Sequence, residues 1–278
     1  MSTPSPSLAA SLAALRARLH ALAAPAPHGG IAFGDAQVDA CLPDGGLPLG
    51  ALHEVTAAGI EAETGALAAA FAASWLGRLR DARPVLWIAP GRPERADATL
   101  ADLNPAGLLA YGLDPARLLL VQTEGDSGPR GSLAAMEAAL RGGAAAAVVA
   151  EVGRVSRLAA RRLHLACLAH GSIGFLLRRF PYGRAVRREP AQDESDAASV
   201  ATRWHLTPAP SDAPHREPGA PRWQVELRHA RGGRPGAWLM EVADADREPA
   251  HPLRVVAGLA DAAPAPDLAS GDRRVRTG

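Results

Sequence analysis

The sequence predicts an α/β fold built on a mostly parallel sheet flanked by helices, and three observations predict it. Five short apolar runs, at 51–55, 84–89, 118–121, 145–150 and 173–177, are separated by stretches long enough to hold helices. Apart from His53-Glu54 in the first, the runs are apolar at consecutive positions, as expected of strands covered on both faces. The stretches between them open on capping residues or proline and close on glycine. Strands alternating with helices in this way build a parallel sheet.

Taken in order, residues 1–30 form an N-terminal segment. After a Ser/Pro-rich start, Leu8, Leu12, Leu15, Leu19 and Leu22 recur at spacings of four and three, an amphipathic helix. Such a stripe packs on its own domain or binds a partner, and Ala24 to Gly30 sets it apart as a linker. The α/β core is expected over 31–185. Its centre is the turn Gly45-Gly46-Leu47-Pro48-Leu49-Gly50, a strand to Val55, a loop over Thr56 to Gly65, and a helix over Ala66 to Leu79. Leu67, Phe71, Trp75 and Leu79 make that helix's apolar stripe. Asn104-Pro105 and Asp114-Pro115 mark helical starts, with the polar residue capping and Pro first. Ser132 is expected to cap a helix carrying Leu133, Met136 and Leu140, closed at Gly142-Gly143. Ser156 is expected to cap another, closed at Gly171.

The pattern changes after residue 185. Residues 186–201 are charged and small, as in a linker. Arg203–Leu206, Trp223–Leu227 and Trp238–Val242 alternate with period two, which predicts strands open to water on one face. They are expected to form an antiparallel extension over 200–245, with a hairpin at Gly232 to Gly236. Thr207 to Pro221 is Pro-rich and reads as a loop. Residues 246–278 are rich in Pro, Ala and Asp and read as a disordered tail.

Composition narrows the chemistry. All 30 basic residues of the Lys+Arg class are Arg, so no catalytic or phosphate-binding lysine exists. Net charge is +1, so only local patches matter. Two cysteines, Cys41 and Cys167, give no disulfide framework. With no signal-peptide pattern and no long uncharged apolar stretch, the expectation is a cytoplasmic protein without membrane contact.

The strand–loop–helix unit at 51–79 stands where a phosphate-binding loop would. Such a loop needs glycines, a Lys, and a Ser or Thr for magnesium. Aligned on Gly59, the second Gly falls at Thr64, the Lys at Gly65 and the hydroxyl at Ala66. Aligned on Gly65, the Lys position is Ala66 and the hydroxyl position Leu67. Neither register supplies the chemistry, and Glu61 and Glu63 bring negative charge where phosphates would sit. The unit reads as a degenerate nucleotide loop with no cofactor.

Arg154, Arg157, Arg161, Arg162, Arg178, Arg179, Arg184, Arg187 and Arg188 form the strongest charge feature, with no Asp or Glu between Arg154 and Arg188. Arg suits phosphate through its bidentate fork, and Phe180 and Tyr182 are placed to stack on bases. The cluster reads as a DNA contact or as a solvated basic face. His164, Cys167 and His170 share one helix face but lack a fourth ligand, so no metal is expected. No nucleophile–base pairing is recoverable. Trp223 and Trp238 read as a sheet core or, if exposed, as partner contacts.

Four segments together resemble the ImuA family, whose core is RecA-like. They are Gly45 to Val55, Gly112 to Val121, Ala201 to Trp204, and Pro221 through Gly236. The resemblance covers roughly 30–245. It implies an accessory protein of damage-inducible translesion synthesis, working with an ImuB-like inactive Y-family polymerase homologue and an error-prone C-family DNA polymerase. Single-stranded DNA and RecA are further candidate partners. It also implies that the strand-end aspartate of RecA falls at Glu151, where a solvated strand-end charge is the alternative. The carboxylate expected after the second strand is replaced by Ala89-Pro90-Gly91, and the γ-phosphate-sensing glutamine by Leu177 or Arg178. A non-catalytic, pseudo-ATPase role follows from the resemblance. A cell-division inhibitor of the SulA type, or an ATPase with an unusual loop, are the rival readings.

Overall fold

The computed structural model describes residues 28–58, 61–90, 103–123, 128–178, 199–211, 219–243 and 252–259. A two-stranded antiparallel ribbon, β1 (Gly30–Ile31) with β2 (Leu47–Pro48), frames the short helix α1 (Ala36–Asp39) and a 3-10 turn at Pro43–Gly45. Asp35 caps α1, its carboxylate accepting from Gln37 N. Then come β3 (Leu52–Ala57), α2 (Glu61–Leu76), β4 (Val85–Pro90), α3 (Pro105–Ala110), a 3-10 turn at Pro115–Arg117, β5 (Leu118–Thr123), α4 (Gly128–Gly142), β6 (Ala147–Val152), α5 (Arg157–His170) and β7 (Ile173–Arg178). Four more strands follow: β8 (Thr202–Ala209), β9 (Arg222–Ala230), β10 (Gly236–Val242) and β11 (Leu253–Gly258).

The five apolar runs become β3 to β7, and every pairing among them is parallel. The nine-stranded sheet runs β11-β10-β9-β8-β3-β7-β6-β4-β5. Asn104 and Asp114 cap as expected, each carboxyl or amide oxygen accepting backbone N–H groups two or three residues on. Ser156 caps α5 by accepting from Ala159 N, and Gly171 ends it in the left-handed region at φ 68°.

Four boundaries differ from the sequence expectation. α2 begins at Glu61, so Thr64 and Gly65 lie in a helix and not in a loop. Glu61-Ala62-Glu63 supplies good helix formers and negative charge at an N-terminus, which favours early initiation. α4 begins at Gly128-Pro129, and Ser132 is a buried residue within it instead of its cap; Pro is at home in a first turn. β8 is parallel to β3, so the parallel sheet gains a sixth strand before the antiparallel pairs begin. Its strand continues through Pro208, beyond the last residue that pairs with β3, so the missing N–H falls on an uncovered edge. Finally, residues 253–258, expected in the disordered tail, pair with β10 because Leu253 enters the core.

Two apolar layers sandwich the central parallel strands, whereas β5 at the sheet edge leaves Leu119 and Leu120 exposed, against the expectation of cover on both faces. On one face α2 packs through Phe71, Trp75 and Leu76 against Val55, Val149, Phe175 and Leu177. On the other, Met136 and Leu140 of α4 and Leu163 and Cys167 of α5 pack on Leu52, Val148, Ala150 and Leu176. The first layer continues into the C-terminal strands. Trp204 lies 5.1 Å from Phe71, 6.0 Å from Trp75 and 6.3 Å from Trp238 between ring centroids, within the range for favourable aromatic pairs. The β9–β10 turn is pressed onto the stretch that follows α1: Arg234 N donates to Cys41 O at 2.9 Å. A Cβ at Gly233 would stand 2.2 Å from that same oxygen, so only glycine fits.

Candidate functional site

In open parallel sheets, ligands bind outside the carboxyl ends of the strands, where the chain order reverses. Here that point lies at β3, between β7 and β8. Three charged or polar groups converge there on the α4/α5 face. Glu54 on β3 is 4% exposed. Its carboxylate stands 3.5 Å from Arg178 Nη1 of β7 and 3.3 Å from Arg203 Nε of β8. Register explains this: Arg203 is directly opposite Glu54, and Arg178 lies two residues past Leu176, its partner on the other side. Thr56, one pleat further along β3, donates its hydroxyl to Trp204 O at 3.0 Å. His205 Nδ1 is 2.9 Å from the same hydroxyl oxygen, and so acts as the donor to it.

The opposite face carries a second polar chain. Trp204 Nε1 donates to Thr202 Oγ1 at 2.9 Å, which leaves the threonine hydrogen for His53 Nδ1 at 2.8 Å. His53 Nε2 therefore carries the ring hydrogen and donates to Pro48 O at 3.0 Å. Burial pushes the His53 imidazole down to about 3, so it stays neutral. Glu151, at the end of β6, is also on this face: it is 5% exposed and accepts from Trp87 Nε1 at 3.1 Å. Register with Leu177 places Glu151 on the α2 side, whereas Glu54 registers with Leu176 on the α4/α5 side. The two strand-end carboxylates do not share a site.

The sequence-predicted residues separate accordingly. Thr64 and Gly65 are in α2, and Gly59 lies outside the described residues. Arg154 and Arg157 are exposed, after β6 and at the start of α5. Arg178 is instead committed to Glu54, its side chain only 10% exposed, because the β3–β7 register draws it inward. Arg179, Arg184, Arg187, Arg188, Phe180 and Tyr182 lie outside the described residues, as do Leu8, Leu12, Leu15 and Leu19. Trp223 and Trp238 are buried at 4% and 3%, which makes them core residues and not partner contacts as they stand. Cys167 points into the core, and burial pushes its thiol up to about 12. His164 meets Arg231 Nη1 at 3.0 Å, and no group of three metal-ligating side chains forms among the described residues.

No family model matches the chain. Two proteins named Protein ImuA, from Caulobacter vibrioides strains NA1000 / CB15N and ATCC 19089 / CIP 103742 / CB 15, are each 41% identical to it over 235 residues, covering 83% of this chain and 90% of theirs. The chain belongs to the ImuA family.

Within this ImuA-family fold, the residues that sequence reasoning missed are Glu54, Arg203, His53 and Thr202. A signal for them was present. His53 and Glu54 are polar residues inside a central strand that must be covered on both faces, and such residues need buried partners. What the sequence does not show is which strand supplies those partners, since residue 202 lies far along the chain and joins β3 only through a long crossover.

Proposed function

We propose that this chain is a non-catalytic accessory protein of a damage-inducible translesion synthesis complex. In that reading it bridges an ImuB-like inactive Y-family polymerase homologue, an error-prone C-family DNA polymerase and DNA. Membership of the ImuA family supports the assignment. The observation that carries the non-catalytic part is the absence of any lysine from the chain. Phosphoryl transfer depends on cations that cradle the β- and γ-phosphates and on a held magnesium. At the corresponding strand end, helix α2 opens with Glu61 and Glu63, which would repel a triphosphate. The neighbouring Arg178 and Arg203 are engaged by Glu54. DNA contact falls to the exposed Arg154 and Arg157, with Arg179, Arg184, Arg187 and Arg188 beyond the described residues.

Co-expression with an ImuB-like protein should give a stable co-purifying complex, and calorimetry with Mg·ATP should give no binding heat. A saturable ATP isotherm, or failure of the two proteins to associate, would overturn the reading. The same preparation with Arg154→Ala, Arg157→Ala, Arg187→Ala and Arg188→Ala should bind single-stranded DNA more weakly. The salt slope should shrink by roughly 0.7 per lost phosphate contact. An unchanged slope removes DNA contact by this cluster.

A further inference from the structure

Three leucines on α5, Leu158, Leu165 and Leu168, are 68%, 55% and 38% exposed. At about 100° per residue they fall within roughly 80° of arc and make one stripe about 15 Å long. The opposite side of α5, carrying Ala160, Leu163, Ala166 and Cys167, is buried in the core. The stripe therefore faces away from the sheet. Among the described residues, nothing covers it.

Where the described chain begins tells what can reach this stripe. His28 Nε2 hydrogen-bonds Leu168 O at 2.9 Å. The His28 ring also lies beside Gly171, the residue that ends α5. The 27 residues before His28 thus depart from the C-terminal end of α5. They contain the leucines at 8, 12, 15, 19 and 22, a stripe about 21 Å long if helical. From Leu22 to His28 the chain can span at most about 20 Å, enough to turn back and too little to leave the neighbourhood.

We propose that the leucine stripe of residues 8–22 lies on the Leu158–Leu165–Leu168 face of α5, running parallel to it. The tether favours the parallel orientation: a flexible six-residue link averages about 13 Å, well short of its limit, which would keep Leu22 nearer the C-terminal end of α5 and send Leu8 towards its N-terminal end. A linker this short raises the local concentration of the stripe to the millimolar range, so a modest contact suffices. The contact is apolar in origin. Residues 1–27 contain no Asp or Glu, while Arg161 lies within the arc of the α5 leucines, Arg157 borders it, and Arg16 and Arg18 flank the N-terminal leucines. Like charge opposes docking, so added salt strengthens it. This inference stands apart from the translesion reading and survives its failure.

Hydrogen exchange on the full-length chain tests it. Amides of 8–22 should exchange at least tenfold more slowly than an unstructured reference, and independently of protein concentration. Leu158→Asp with Leu165→Asp should release that protection while β3 and β6 keep theirs. Coil-like exchange of 8–22 in the unaltered chain, or equal protection in the double variant, overturns the proposal. Protection that grows with protein concentration also overturns it, in favour of a second copy. A second variant, Leu19→Cys with Leu165→Cys, tests the orientation independently. Mild oxidation should give a disulfide within the monomer; a linked dimer, or no bond, rejects the parallel packing.

Discussion

The sheet holds the same constellation twice, a glutamate between two arginines, in two different settings. At its centre, Glu54 sits between Arg178 and Arg203, with side-chain exposures of 6%, 10% and 11% and separations of 3.5 and 3.3 Å. Near its edge, Glu241 of β10 sits between Arg222 of β9 and Arg254 of β11, at 2.7 and 2.6 Å, with Arg254 59% exposed. The outer triad has short, charge-assisted hydrogen bonds and water beside it. The inner one has longer ion pairs and is almost closed to solvent. Geometry alone would rank the outer triad as the stronger. Solvation reverses the ranking of what each would cost to break, because a charge left behind at the edge is rehydrated and one left in the interior is not.

Glu54→Ala should therefore have the largest effect on this molecule. It leaves two buried guanidiniums without their shared carboxylate, and the expected loss is about 3–5 kcal/mol of folding stability. Urea denaturation measures it, with little dependence on salt because the site is screened weakly. A loss under about 1 kcal/mol would mean that water or the further contacts of Arg178 and Arg203 compensate the inner arginines.

The comparison sharpens further if the inner charges are removed together. Glu54→Leu with Arg178→Met and Arg203→Met replaces the triad by apolar groups of similar length. The expected outcome is stability equal to the parent or up to about 2 kcal/mol above it, since desolvation of buried ions offsets their attraction. Such a variant also separates structure from function. If it folds and loses association with an ImuB-like protein, the triad belongs to a binding surface; if it folds and associates, the triad is a device of the fold alone.

The two regions also differ in how far they could be read from the sequence. β3 to β7 announced themselves as near-continuous apolar runs, although β3 carries His53 and Glu54 and the edge strand β5 leaves Leu119 and Leu120 exposed, and Ser156 and Gly171 marked α5 to the residue. The C-terminal strands were visible by alternation, yet the parallel pairing of β8 with β3 was not. Alternation reports that one face is wet; it says nothing about direction, which depends on the crossover between Arg178 and Ser199. β11 was hidden for a different reason: Leu253 and Val255 are too few to stand out among Pro and Ala. At the site, Glu151 was found as a strand-end carboxylate, but its burial against Trp87 depends on the β4–β6 register. Glu54 is not legible as a site residue, because its role depends on Arg178 and Arg203, more than a hundred residues away.

Glu241→Gln should have the smallest effect and the clearest pH signature. Hydrogen bonds from Arg254 and then Arg222 hold the Glu241 carboxyl below its ordinary value of 4.5. A carboxyl whose folded value is depressed adds stability that is fully present above its unfolded value. That stability is lost as the pH falls through the folded one. At neutral pH the substitution should cost about 1 kcal/mol or less, since Arg254 is mostly in water. As the pH drops below the ordinary carboxylate range, the parent should lose this advantage and the two proteins should converge. Added salt should narrow the neutral-pH gap as well, in contrast to the inner triad. Thermal melts of both proteins across that pH range at two ionic strengths decide the matter. A gap that persists in acid would assign the effect of Glu241 to packing rather than charge, and the contrast between the two triads would then rest on burial alone.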